Sequence, residues 1–282
     1  MKSLLAIFLL VCASLPAQAR TLDQILETGF LRIAVYRDFP PYSYLKDGKP
    51  SGLDIEVGQR IAEQLGVKPA WFWLTADENL DDDLRNAVWK GHYLGGGVAD
   101  IMLRVPYDKD YDNDKVSVVG RYHRERWTVA RDTAKLPELV NLAPFTYHKV
   151  GVEIDSVPDL TLTTALRGRL REQVVHYLSI LEAVDALENG EIDAVSGMRS
   201  QVEWSLHNPG ENVSGRQFEI SDASLVSWPR RAWDIAVAVK QPYQGLAQKV
   251  DGAVASMIED GQLAAIFEQY QVSYERPATA EQ

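Results

Sequence analysis

The stretch from Leu31 to Val57, LRIAVYRDFPPYSYLKDGKPSGLDIEV, leaves little freedom in how the chain can begin to fold. Leu31, Ile33 and Val35 alternate as in a strand with one buried and one polar face. Pro40 and Pro41 each fix φ at about −65° and supply no amide donor, so the strand ends before them. Phe39, Tyr42 and Tyr44 are then presented from a stiff, extended segment past the strand's carboxyl end. Asp47-Gly48 makes a turn, and Gly52-Leu53-Asp54 leads into an amphipathic helix with Asp54 as its cap. Val57, Ile61 and Leu65 recur at helical spacing, Gly66 stops the helix, and Val67 to Leu74 returns as an apolar strand. A β-α-β opening of this kind builds an open α/β sheet, which binds ligands beyond the carboxyl ends of its strands.

The chain has 282 residues, 46% of them hydrophobic and 24% charged, enough for one large or two medium domains. Its net charge of −11 argues against nucleic acid as a partner, because phosphate binding needs a basic surface. Lys2, the apolar run from Leu4 to Val11 and the small residues of Ala17-Gln18-Ala19 read as a Sec signal peptide, residues 1–19, cleaved after Ala19. The single cysteine, Cys12, lies inside that leader, so the mature chain carries no thiol and no disulfide. Together these features predict a soluble periplasmic protein.

Further along, Leu84, Val88 and Trp89 give a short helix, Gly95 to Gly97 a turn, and Ile101 to Val105 a strand. Asp81 to Asp83 suit the amino terminus of that helix, where negative charge complements the dipole. Val116 to Val119 and Trp127 to Ala130 flank Arg121 to Arg124, and Val150-Gly151-Val152 opens a second sheet. A helix over Leu160 to Val174 carries Arg167, Arg169 and Arg171 on a solvated face, and Val174 to Tyr177 follows as a strand. Ile180, Val184 and Leu187 form the apolar face of the next helix, closed by Asn189-Gly190, and Ile192 to Val195 follows as a strand. Val202 to Gln217 is polar and poorly periodic, Ile235 to Val239 is a strong strand, and Tyr243 to Tyr270 is helical.

Read together, LRIAV, FPPYSY, DGKPSGLDIEVGQRIAEQLG and the later EAVDALENGEIDAV closely resemble the landmarks of periplasmic solute-binding proteins of family 3, the polar-amino-acid type. The resemblance implies a two-lobe α/β fold of type II, each lobe a mixed sheet flanked by helices, with two hinge crossings. It places lobe 1 at residues 20–123 plus 233–272, lobe 2 at 124–232, and a flexible tail at 273–282. Such lobes close around a ligand that has higher affinity for the closed state.

In that family an Arg about a dozen residues past the strand Asp grips the ligand carboxylate, and an Asp after the second-lobe Asp-Ala grips the amine. Counting from Asp100 reaches Asp112, and counting from Asp193 reaches Met198, so both halves of this clamp are missing. A free α-amino acid is therefore disfavoured. Arg104 and Arg199 lie near the two positions and suit either an anion or structural ion pairs. ADIMLRVPYDKDY and IDAVSGMRSQVEW resemble a branch of the family, the J-type accessory proteins associated with quinoprotein methanol and alcohol dehydrogenases, although Arg104 stands where that branch commonly has Gly.

The expected ligand-binding residues are Phe39 and Tyr42 for stacking, Arg104 and Arg199 for an anionic group, with Tyr122 and Ser156 beside them. Asp108, Asp110, Asp112 and Asp114 alternate like a calcium loop, but Asn113 replaces the turn glycine and Val119 the closing Glu, so a solvated acidic loop is favoured over a metal site. The five histidines show no metal-ligand spacing, and no G-x-S-x-G elbow or phosphate loop is present. No cofactor and no catalytic activity are expected. The resemblance implies a monomeric accessory of a quinoprotein dehydrogenase or its cytochrome. Its alternatives are an ABC-transporter receptor for an amino acid or other small polar solute, working with a permease, and a periplasmic dehydratase-like enzyme on the same fold. Trp228, followed by Pro229, is a further candidate for the cleft.

Overall fold

The first strand is buried on both faces, not one. In the computed structural model, which describes residues 19–109, 114–208, 215–222 and 231–278, β1 (Phe30–Tyr36) lies between β4 (Lys68–Leu74) and β5 (Ile101–Pro106) and parallel to both. Leu31, Ile33 and Val35 pack into one core layer, while Ala34 joins Leu84, Val88 and Met102 in another. Helices cover both sides of a parallel sheet, so the alternation in sequence does not mark a solvent face. Residues 1–18, where a leader is expected, and Trp228-Pro229 lie outside the described residues.

After β1 the chain does not run extended. Residues 39–43 form a tight turn in which the Phe39 amide donates to Ser43 O and the Tyr42 and Ser43 amides donate back to Phe39 O. A two-stranded hairpin, β2 (Tyr44–Lys46) and β3 (Lys49–Ser51), then leads to α2 (Leu53–Gln64). The cap of α2 is Gly52, not Asp54. Gly52 has φ +126°, and a Cβ there would stand 2.3 Å from Tyr42 O, so only glycine fits. The Leu53 and Asp54 amides donate to Pro41 O and Tyr42 O at 2.9 and 2.8 Å. Because the aromatic turn satisfies these helix-end donors, the Asp54 side chain is free for another role.

Preceding β1, α1 (Leu22–Thr28) carries a Thr21/Gln24 capping box. Beyond β4, α3 (Leu80–Leu84) starts at an Asn79 cap and continues as a π-helical turn over Arg85–Trp89. Asp81, Asp82 and Asp83 occupy its first turn.

A single 17-residue strand, β6 (Val116–Asp132), is the spine shared by both halves. Up to Arg126 it pairs with β11 (Ala232–Lys240), and from Trp127 onward with β9 (Ala194–Met198). The opposite edge of that second segment takes β10 (Phe218–Asp222). The full order is β4-β1-β5-β11-β6-β9-β7-β8, with β7 (Val150–Glu153) and β8 (Val174–Tyr177) parallel to each other. In the second half α4 (Val157–Gly168) and α5 (Ile180–Asn189) are capped by Ser156 and Ser179. The helix expected to reach Val174 ends at Gly168, because Ala165 to Arg167 leave helical geometry, and Val174 begins a strand. Arg167, Arg169 and Arg171 are exposed.

The polar stretch after Met198 contains a helix that periodicity did not show, α6 (Arg199–His207). Apart from Val202 its buried residues are polar, Ser200, Gln201, Glu203 and Ser205, so no strong apolar repeat announces it. Glu203 accepts from Arg199 Nε at 2.6 Å and from the Ser273 amide at 2.6 Å. After α7 (Gln244–Glu259) and α8 (Gln262–Gln269), residues 273–278, expected as part of a flexible tail, are bonded across the waist of the molecule. Arg124 N donates to Glu275 O, Arg126 pairs with the Glu275 carboxylate, and Ala278 N donates to Asp234. Residues 279–282 lie outside the described residues.

Candidate functional site

Where the two halves face each other, a cavity of about 540 Å³ opens at the carboxyl end of β1 and β5. One wall comes from the first half: Tyr36, Arg37 and Phe39 after β1, then Asp77, Asn79, Leu80 and Asp83 around α3. The other comes from the second half: Trp127 of β6, Val157 at the start of α4, and Met198 at the end of β9. Trp233 and Ile235 of β11 complete it. Two aromatic pairs frame the space. Phe39 meets Tyr36 edge-on at 6.0 Å between centroids, and Trp127 lies 4.7 Å from Trp233.

At the floor sits Arg104, only 6% exposed. Its backbone has φ +63°, a conformation that glycine adopts readily and arginine at a cost of about 1–2 kcal/mol. The side chain is fixed by Asp54, with Nε to Oδ2 at 2.6 Å and Nη2 to Oδ1 at 3.0 Å, and by the Tyr42 ring 3.2 Å below its Cζ. Tyr122 OH donates to Asp54 Oδ1 at 2.9 Å and accepts from the Arg104 amide at 3.0 Å. Burial opposes the guanidinium's charge, but Asp54 outweighs it and holds Arg104 firmly protonated. Burial, and then Asp54, push the Tyr122 hydroxyl well up.

Toward the mouth, Tyr36 OH donates to Asp83 Oδ2 at 2.7 Å, and the Asp77 amide donates to Asp83 Oδ1 at 2.8 Å. Burial raises the Asp83 carboxyl above its ordinary range, and these two donors only partly offset it. Behind the aromatic turn lies a second buried network. Glu125, 1% exposed, accepts from Tyr42 OH at 2.8 Å and from the Arg126 and Ser200 amides at 3.0 and 3.4 Å. Burial works against its ionisation, yet His123, Arg104 and Ser200 prevail and hold it down at about 2.

The six residues expected at the site separate. Phe39 and Arg104 line the cavity. Tyr42 and Tyr122 are fully buried beneath it as supports for Arg104 and Glu125. Ser156 Oγ caps α4 by accepting from Asp159 N at 3.2 Å, and Arg199 pairs with Glu203 away from the cavity. Tyr36, Asp83, Trp127 and Trp233 are lining residues that sequence reasoning did not single out; Tyr36 and Trp127 each stand where a strand meets a turn or crossing, the one signal available. Met198 lines the cavity at the place counted for the missing acid. Asp108 lies on an exposed loop, and Asp110 and Asp112 are outside the described residues. Among the described residues no group of three His, Cys, Asp or Glu side chains converges as a metal site, and no helix is long and apolar enough to cross a membrane.

Two α/β halves joined through a shared strand, with a solute-sized cavity between them, define the two-lobe periplasmic-binding-protein-like fold. Comparison with known proteins agrees. The model of the bacterial extracellular solute-binding proteins, family 3, matches residues 31–86. An ancestral cationic amino acid solute-binding protein superposes with a TM-score of 0.69 at 18% identity, covering 89% of this chain and 99% of that one. An amino acid ABC transporter substrate-binding protein from Streptococcus pneumoniae, bound to L-arginine, gives 0.61 at 20% identity over 90% and 99%. The solute receptor for L-cysteine of Neisseria gonorrhoeae gives 0.58 at 22% identity over 89% and 93%.

Among curated proteins, cyclohexadienyl dehydratase of Pseudomonas aeruginosa is 46% identical over 68 residues, which is 24% of this chain and 25% of that protein. This match overturns the expectation of a chain without catalytic activity, since it ties part of the sequence to an enzyme. A solved ancestral amino-acid-binding protein, described as a precursor of cyclohexadienyl dehydratase, shares the fold at a TM-score of 0.58 and 18% identity.

Proposed function

We propose that the chain is an extracytoplasmic receptor that closes on a small solute and delivers it to the permease of an ABC transporter. The cavity lined from both halves carries this reading, because its walls approach only if the halves move about β6 and β11. Its volume falls within the range of small-molecule sites. The family-model match and the structural neighbours that are transport receptors support the same role. Export by a leader removed after Ala19 and work in the periplasm belong to this proposal. The accessory role beside a quinoprotein dehydrogenase has less behind it, as none of the relatives named above carries that association.

The test is a thermal-shift screen of the purified mature chain against amino acids, organic acids and alcohols, followed by small-angle X-ray scattering with each hit. A solute at 100 times its Kd stabilises by about 2.7 kcal/mol. The expected result is such a shift together with a smaller radius of gyration. Hits that leave the radius unchanged would contradict closure, and a screen without hits would contradict the receptor role.

A second reading rests on the dehydratase match. Loss of water from a cyclohexadienyl alcohol requires a proton delivered to the departing hydroxyl as the C–O bond breaks, while a saturated ring carbon releases a proton or carbon dioxide and its electron pair completes the aromatic ring. Asp83, its carboxyl raised by burial and facing the cavity, suits that donor. Ultraviolet detection of ring aromatisation, present in the wild type and lost in Asp83→Asn, would establish it.

A further inference from the structure

We propose that the solute is an organic carboxylate with an apolar, ring-sized body and no cationic amine, its carboxylate received by Nη1 of Arg104. This inference rests on the receptor reading and names the ligand class of the same cavity. Arg104 is only 6% exposed, and Asp54 occupies its Nε and Nη2. Its Nη1 donates to no described residue, and the side chain lines the cavity. A guanidinium carries five donors, and with Nε and Nη2 committed to Asp54 the remaining edge is open to the cavity and available to an incoming anion. Asp54 and Tyr42 fix its plane beforehand, so little side-chain freedom is lost on binding.

Arg37 adds a second guanidinium at the exposed rim of the same cavity, and its side chain has no hydrogen bond or ion pair with any described residue. The two acids of the cavity, Asp77 and Asp83, stand on the same wall as Arg37, with a donor already on each oxygen. Asp83 accepts from Tyr36 OH and the Asp77 amide, while Asp77 accepts from the Glu78 amide and Asn86 Nδ2. The facing wall offers Met198, Trp127 and Val157, none of them charged. A zwitterion would thus find a partner for its carboxylate and none across the cleft for its ammonium, which would be desolvated against sulfur and indole. An aromatic or cyclic acid leaves no group unpaired.

Calorimetric titration of the purified mature protein with 3-phenylpropanoate, its amide, phenethylamine, L-phenylalanine and L-arginine tests this. The acid should bind at least about tenfold more tightly than the amide or the amine, equivalent to 1.4 kcal/mol. Arg104→Lys keeps a positive charge beside Asp54 but loses the free planar edge, and should weaken the acid about tenfold while changing the amide little. Because that variant alters a buried pair, Met198→Asp provides an independent measurement: an acid at the α6 cap position should weaken 3-phenylpropanoate and strengthen phenethylamine and L-phenylalanine. An amine or amino acid that binds best in the wild type would overturn the ligand class and leave the receptor role standing. Five silent titrations at millimolar concentration would overturn both.

Discussion

Asp54→Ala should destabilise the protein by about 3–5 kcal/mol, because it leaves the guanidinium of Arg104 buried without its counter-charge. Both partners are almost fully enclosed, at 6% and 1% exposure, so water cannot substitute for the lost carboxylate. The same change removes the acceptor of Tyr122 OH and weakens the hold on a backbone already in a left-handed conformation at Arg104. At about 2–4 °C per kcal/mol for a chain of this size, the melting temperature should fall by roughly 6–20 °C. Urea unfolding monitored by tryptophan fluorescence checks the free energy. Asp54→Asn, which retains acceptor capacity, should cost less. If Asp54→Ala melted with the wild type, Asp54 would not be what holds Arg104 in place.

Glu125→Gln should produce the other large effect, and its pH dependence has a definite sign. The carboxyl of Glu125 is held at about 2 in the folded protein, against 4.5 when unperturbed. A depressed folded value means that the ionised form contributes stability in full above the unfolded value near 4.5, a contribution lost as pH falls toward about 2. At neutral pH the variant should be less stable by about 3 kcal/mol, as expected when one partner of a buried charged network is neutralised. The gap between wild type and variant should narrow steadily from pH 4.5 to 2. Asp83 works in the opposite sense, since burial raises its carboxyl above the ordinary value. Because both proteins carry Asp83, comparing urea midpoints of the two at each pH isolates Glu125. A gap that stayed constant across this range would show that Glu125 does not act through its charge.

These two acids also show how far the sequence could be read. The opening strand, turn and helix were legible because Leu31, Ile33 and Val35 and then Val57 and Ile61 carry strong periodicities, while the two-lobe fold class came from the resemblance to family 3. Asp54 was legible as important but not in its role. A helix-start acid is normally a cap, and here the carbonyls of Pro41 and Tyr42 take the amides instead and release its side chain toward Arg104. Arg104 was singled out only as a cation near the counted position, since the count from Asp100 itself reaches Asp112. Tyr42 and Tyr122 were expected at the cleft surface as aromatics, yet both are fully buried, their hydroxyls committed to Glu125 and Asp54. Trp127 and Trp233 were lost among seven tryptophans. Their proximity is set by the antiparallel register of β6 and β11, a pairing between residues more than a hundred positions apart that no local pattern encodes. α6 was missed for a related reason: its inner face is held by Glu203 and Gln201, and hydrogen bonds between polar groups leave no hydrophobic repeat.

A rigid arginine edge paired with aromatic walls is the chemistry the cleft offers a ligand. A crystal structure of the mature protein with 3-phenylpropanoate should show the two halves closed, the carboxylate within hydrogen-bond distance of Arg104 Nη1, and the ring between Phe39 and the Trp127–Trp233 pair. A ligand bound outside the space between the halves, or one seated there with its carboxylate turned away from Arg104, would contradict it.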